Sequence, residues 1–123
     1  MDLDFSSEDL AFRDEVRAFI AEAYPAQLKD RLIGEDAFTK EDYLAWHRTL
    51  ADKGWIAPNW PKAVGGTDWT PTQKYIFSEE LARADTIMIM PFGISMVGPV
   101  IYTFGTAEQK ARFLPPTLSG DIW

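Results

Sequence analysis

The chain has 123 residues, 46% of them hydrophobic and 25% charged, which suits one globular domain rather than a disordered segment. Nineteen acids against twelve Lys and Arg give a net charge of −7 with no basic cluster, which argues against nucleic acid as a partner. The absence of Cys and the single histidine, His47, exclude disulfides, thiolate chemistry, a His-rich metal site and a Ser–His triad built within the chain.

The opening Met1-Asp2-Leu3-Asp4-Phe5 has neither the basic-then-apolar order of a secretory signal nor the Arg-rich bias of a transit peptide, so a cytoplasmic location is expected. Ser6-Ser7-Glu8-Asp9 then supplies a hydroxyl cap with acids in the first turn, favourable to free N–H groups and to the helix dipole. Phe12, Val16, Phe19, Ile20 and Ala23 recur at helical spacing and predict the first buried face, closed by Pro25. Asp9 and Arg13 stand at i,i+4 on the polar side.

A polar connection, Gln27 to Phe38, leads to Thr39-Lys40-Glu41-Asp42, a capping box with Asp in the last place. Tyr43, Trp46, Leu50 and Ala51 predict the stripe of a second helix, and Gly54 stands where a left-handed helix end belongs. His47 is expected to be a partly exposed surface residue. The stretch from Ala57 to Trp69 carries two prolines, Gly65-Gly66 and two tryptophans, the composition of a fixed loop packed by its aromatics. Gly65-Gly66 is not followed by the pattern of a phosphate loop, and Trp60 and Trp69 are expected to be packing anchors.

Thr70-Pro71-Thr72-Gln73 combines a capping box with proline at the first helical position. Phe77, Leu81 and Ala84 predict the buried face of this third helix, and Glu79–Arg83 an i,i+4 pair. Glu79 and Glu80 point about 100° apart on a helix, so they cannot jointly flank one bond, and a solvated face is expected. Met90 to Phe104 predicts a fourth helix, nearly uncharged and therefore buried on all sides, which needs a covering surface in so small a domain. Gly93 and Gly98 would let that surface approach the backbone. The wider stretch Ile87–Phe104 is long enough to raise a membrane span, but Pro91, Gly93, Gly98 and Pro99 favour a buried helix. Thr106-Ala107-Glu108-Gln109 caps a short last helix through Phe113, with Pro115-Pro116 ending it and one further turn over Thr117–Ser119. The pattern predicts an all-α orthogonal bundle of about five helices.

Three segments in order resemble the amino-terminal domain of acyl-CoA dehydrogenases. They are Trp55-Ile56-Ala57-Pro58-Asn59-Trp60-Pro61-Lys62-Ala63-Val64-Gly65-Gly66, then Phe77-Ser78-Glu79-Glu80-Leu81-Ala82-Arg83-Ala84, then Phe104-Gly105-Thr106-Ala107-Glu108-Gln109-Lys110-Ala111-Arg112-Phe113-Leu114-Pro115 with Ser119-Gly120. The last block is the most specific, and the opening helix fits the same domain. Ala63-Val64 departs from the family loop, which often has Glu and an aromatic there, so the subfamily stays open.

The resemblance implies a helical domain over residues 1–119, with 120–123 beginning a β-domain that follows. It implies a parent enzyme that desaturates an acyl-CoA to the trans-2-enoyl-CoA, with FAD as cofactor, an electron-transfer flavoprotein as electron acceptor and a tetrameric assembly. The catalytic carboxylate and the main flavin contacts would lie outside this chain, which would be inactive alone. Carried over position by position, Phe92, Ser95, Met96 and Pro99 would face or adjoin the acyl chain. Two alternatives are a self-sufficient helical interaction module and an acyl-CoA-binding protein without redox chemistry. The acidic balance, with no basic cluster for CoA phosphates, weighs against the second.

Overall fold

A computed structural model describes residues 4–31 and 38–123, so residues 32–37 of the predicted polar connection lie outside the described residues. Among those described there are six α-helices and no strand: α1 Ser7–Ala23, α2 Ala26–Lys29, α3 Lys40–Lys53, α4 Pro71–Arg83, α5 Gly98–Phe104 and α6 Ala107–Ser119. A 3₁₀ turn occupies Lys62–Val64, and a π-helical turn over Phe92–Val97 runs directly into α5.

The capping chemistry sets the helix starts. Ser6 accepts from the Asp9 N–H, and Thr39, Thr70 and Thr106 each form a complete box with Asp42, Gln73 and Gln109. Each box satisfies donors that the first helical turn leaves free. Gly54 ends α3 in the left-handed conformation at φ 81°.

Helix α1 packs on α4, while α6 packs on both α3 and α5. The core between them holds Phe12, Val16 and Ile20 of α1, Trp46 and Leu50 of α3, and Ile76 and Phe77 of α4, with Trp55, Trp60, Ile94 and Leu114. Trp69 meets Phe12 edge-on at 4.9 Å, Trp55 at 5.3 Å and Phe77 at 5.1 Å between centroids. Such ring pairs add about 0.5–1.5 kcal/mol each beyond their buried area. This cluster, rather than chain length, is what lets a small domain fix a loop rich in turn residues.

Several expectations are corrected. The chain after Pro25 makes a short extra helix, α2, because Leu28 buries itself in the core. Ala84 is exposed just beyond the end of α4, and Ile76 takes the buried place instead. Arg13 reaches Asp14 at 3.4 Å. Helix α6 does not stop at Phe113 but continues through Pro115 and Pro116 to Ser119. The two prolines withhold N–H groups from the carbonyls of Ala111 and Arg112, four residues back. Both of those residues are exposed, so water can serve them, while Leu114 and Thr117 stay buried on the inner side.

Candidate functional site

The predicted fourth helix is not buried all round. Gly93, Ile94 and Gly98 face inward, whereas Phe92, Met96, Val97, Val100 and Phe104 are each more than half exposed, Phe104 at 82%. Contiguous large apolar side chains in water are unusual on a folded surface and mark a contact site. Gly93 and Gly98 do admit close neighbours, but these belong to the same chain. A Cβ at Gly93 would lie 2.7 Å from Thr117 Cγ2, and one at Gly98 2.1 Å from Trp60 Cζ2. The covering surface expected for this helix is therefore half supplied from within.

The inner side is fixed by the loop before α4. Trp60 is 2% exposed, its indole N–H donates to Ile94 O at 2.6 Å, and its ring meets Tyr102 edge-on at 5.6 Å. Gly66 makes this possible, since a Cβ there would lie 1.7 Å from Trp60 O.

Between this loop, α4 and the π turn lies a cavity of about 360 Å³. Ile56, Ala57, Trp60, Phe77 and Ile94 are its buried lining residues, while Lys74, Ser78 and Ser95 contribute polar groups. Its volume falls within the range of small-molecule pockets.

The four residues singled out from sequence divide between these two surfaces. Ser95 and Pro99 line the cavity, Pro99 half-buried and Ser95 exposed. Phe92 and Met96, at 55% and 56% exposure, stand on the outer apolar face and line no part of it.

Two polar residues differ from their sequence readings. Glu80 is not on a solvated face: it is 2% exposed and accepts two charge-assisted hydrogen bonds from Arg17, at 2.7 and 3.0 Å. The pairing pushes the Arg17 pKa up, chiefly through the hydrogen bond to Glu80. His47 is not a surface residue but 4% exposed, with Nε2 2.9 Å from Leu118 O and Nδ1 buried without a partner. Burial, the largest cause, pulls its pKa below 6.5, so the ring is neutral at pH 7 and Nε2 donates. Glu80 and His47 each tie an α-helix to a distant segment.

Other groups hold the scaffold. Asp42 accepts from the Thr39 N–H and from Arg31, and these contacts lower its pKa, the Thr39 bond most. The Tyr24 hydroxyl accepts from the Ile87 N–H, and burial raises its pKa. Among the described residues no group of three or more His, Cys, Asp or Glu could hold a metal ion, and no helix is long and apolar enough to cross a membrane.

Gly65-Gly66, the one glycine pair in the chain, is filled by neighbours: a Cβ at Gly65 would lie 2.3 Å from Leu118 Cδ1, and Gly66 backs onto Trp60 O. No open cradle remains there for a diphosphate.

The fold is a helical domain with an exposed apolar face on one side of the helix ending at Phe104. Residues 6–121 match the family model described as acyl-CoA dehydrogenase, N-terminal domain. The chain belongs to that family. It is 34% identical over 117 residues to acyl-CoA dehydrogenase IpdE1 of Mycobacterium tuberculosis, an alignment covering 85% of this chain and 28% of the relative. The ChsE4–ChsE5 complex of Mycobacterium tuberculosis superposes with a TM-score of 0.79 at 28% identity, over 100% of this chain and 30% of that one. The Tcur3481–Tcur3483 steroid ACAD gives 0.75 at 33% identity, over 94% and 30%. The chain thus spans a little under a third of the length of the relatives it matches.

Proposed function

We propose that this chain is the amino-terminal domain of a longer acyl-CoA dehydrogenase and that the outer face of the Phe92–Phe104 helix meets the acyl group and the remaining domains. The observation that carries the proposal is the exposed row of Phe92, Met96, Val97, Val100 and Phe104, on a helix whose opposite side is already packed. An apolar face of this kind suits a hydrocarbon substrate, and Met96 can adapt its shape to one. Phe92 and Met96 are then the substrate-facing residues. Ser95 and Pro99, which line the cavity beside this face, adjoin the acyl chain.

The reaction class is α,β-dehydrogenation of an acyl-CoA to the trans-2-enoyl-CoA, in the manner of fatty-acid β-oxidation. The parent would hold FAD in domains beyond this chain, pass electrons to an electron-transfer flavoprotein and assemble as a cytoplasmic homo- or hetero-tetramer. Residues 120–123, from the left-handed Gly120 onward, would begin the middle β-domain. A steroid ACAD among the solved neighbours favours ring-bearing acyl groups as the first substrates to try.

The test has two arms. An antibody against this chain should detect a native product several times larger than 14.0 kDa, and that product should convert acyl-CoA to enoyl-CoA while the 123-residue chain does not. A native product of 14.0 kDa, or a large product inert toward every acyl-CoA, would refute the proposal.

A further inference from the structure

The π turn over Phe92–Val97 has its cause 34 residues earlier in the chain. In such a turn each N–H bonds the carbonyl five residues back, as the Gly98 N–H does with Gly93 O. The next carbonyl, Ile94 O, would take the N–H of residue 99, and that residue is proline, which has none. The donor that an α-helix would offer instead, the Gly98 N–H, is already committed to Gly93 O. Ile94 is buried, so its carbonyl cannot turn to water, and a buried unpaired carbonyl is costly.

Trp60 answers that vacancy with its indole N–H at 2.6 Å. Three neighbours make the answer specific. Pro99 removes the helical donor. Gly98 leaves room for the ring, whose Cζ2 would lie 2.1 Å from any Cβ there. Gly66 lets the loop close onto the Trp60 carbonyl, which fixes the backbone from which the indole projects.

We propose that Trp60 is a positioning residue: its N–H, bonded to Ile94 O, holds the π turn and so sets the register in which Phe92 is presented beside Val100 and Phe104. The proposal rests on the functional reading above. A π turn holds one residue more than an α turn. Relaxing it would rotate Phe92 relative to the helix beyond by about 100°. The outer face would then meet a bulky acyl group with a different outline, whereas a short acyl group would be less affected.

The test uses Trp60→Phe, which keeps an aromatic ring and removes the N–H. Amide hydrogen exchange at Met96, Val97 and Gly98 should rise at least tenfold, with Ile76 and Phe77 unchanged. In the full-length enzyme, the ratio of kcat/KM for a ring-bearing acyl-CoA to that for butanoyl-CoA should shift at least fivefold. Trp60→Phe combined with Pro99→Ala supplies a new N–H for Ile94 O, and should recover most of the exchange protection. Unchanged exchange, or no recovery in the double variant, would overturn the claim that the N–H holds the turn. Faster exchange with an unchanged substrate ratio would reduce Trp60 to a structural role. A wild-type enzyme inert toward all acyl-CoAs would instead overturn the functional reading, and with it the substrate role of Trp60, while the exchange result would still decide what holds the turn.

Discussion

Replacing Gly98 by Ala isolates the packing on which the helix register depends. The added methyl would sit 2.1 Å from Trp60 Cζ2, 2.8 Å from its Cη2 and 2.7 Å from Gly93 O. Relief requires a movement of more than 1 Å, judged against ordinary carbon contacts of about 3.5–4.0 Å. The ring cannot swing away freely, because it is buried and bonded to Ile94 O. Overpacking of this kind costs about 1–3 kcal/mol, and losing the indole bond adds about 1 kcal/mol. Alanine's better helix propensity offsets about 1 kcal/mol. The net is a loss of about 1–3 kcal/mol, or a Tm lowered by roughly 4–12 °C at about 4 °C per kcal/mol for a domain of this size. Differential scanning calorimetry on Gly98→Ala measures it. Gly54→Ala is the contrasting control, since that site has open space but a φ of 81°. It should cost only about 1 kcal/mol, from backbone strain alone. A Gly98→Ala chain as stable as wild type would refute the packing argument, because propensity would have outweighed the clash.

Three further outcomes are expected. Glu80→Gln should lower Tm several times more than Lys62→Ala, because Glu80 is a buried carboxylate bonded twice by Arg17, whereas Lys62 meets Asp68 in an exposed pair worth about 0.2–1 kcal/mol; equal shifts in thermal melts would contradict this. His47 has its pKa depressed in the folded chain, so the unfolded chain binds more protons just below the unperturbed value of 6.5. The associated stability is complete above pH 6.5 and is lost as pH falls through the folded value. His47→Gln should flatten that part of a urea-denaturation series against pH, and an unchanged slope would remove His47 as its source. Phe104→Ser changes a side chain that is 82% exposed, so the isolated chain should keep its Tm while self-association and hydrophobic-dye binding fall; a large Tm loss would mean Phe104 is packed.

The parts of the fold readable in sequence are those whose causes lie within one turn of helix. Ser6, Thr39, Thr70 and Thr106 cap as their neighbours dictate, and Gly54 takes the left-handed end. The misplaced residues have distant causes. Glu80 reads as a solvated acid until Arg17, 63 residues away, lies across it. His47 reads as a surface residue until α6 continues through two prolines and brings Leu118 over it. The apolar composition from Met90 to Phe104 signalled an interface, but not which side was already occupied. That depended on Trp60, and the usable clue was Pro99 following Ile94 by five residues within a helix. Periodicity at 3.6 residues per turn cannot register a turn that holds one more.

The most direct measurement is to supply the full-length protein with FAD, add acyl-CoA anaerobically and follow the flavin absorbance by stopped flow for wild type, Phe92→Ser and Ser95→Ala. Flavin bleaching is expected in wild type, with a markedly weaker apparent affinity for a long or ring-bearing acyl-CoA in Phe92→Ser and a smaller change in Ser95→Ala, whose residue lines the cavity rather than the outer apolar face. An oxidised flavin that persists in wild type with every acyl-CoA, or a Phe92→Ser protein indistinguishable from wild type, would contradict the proposed function.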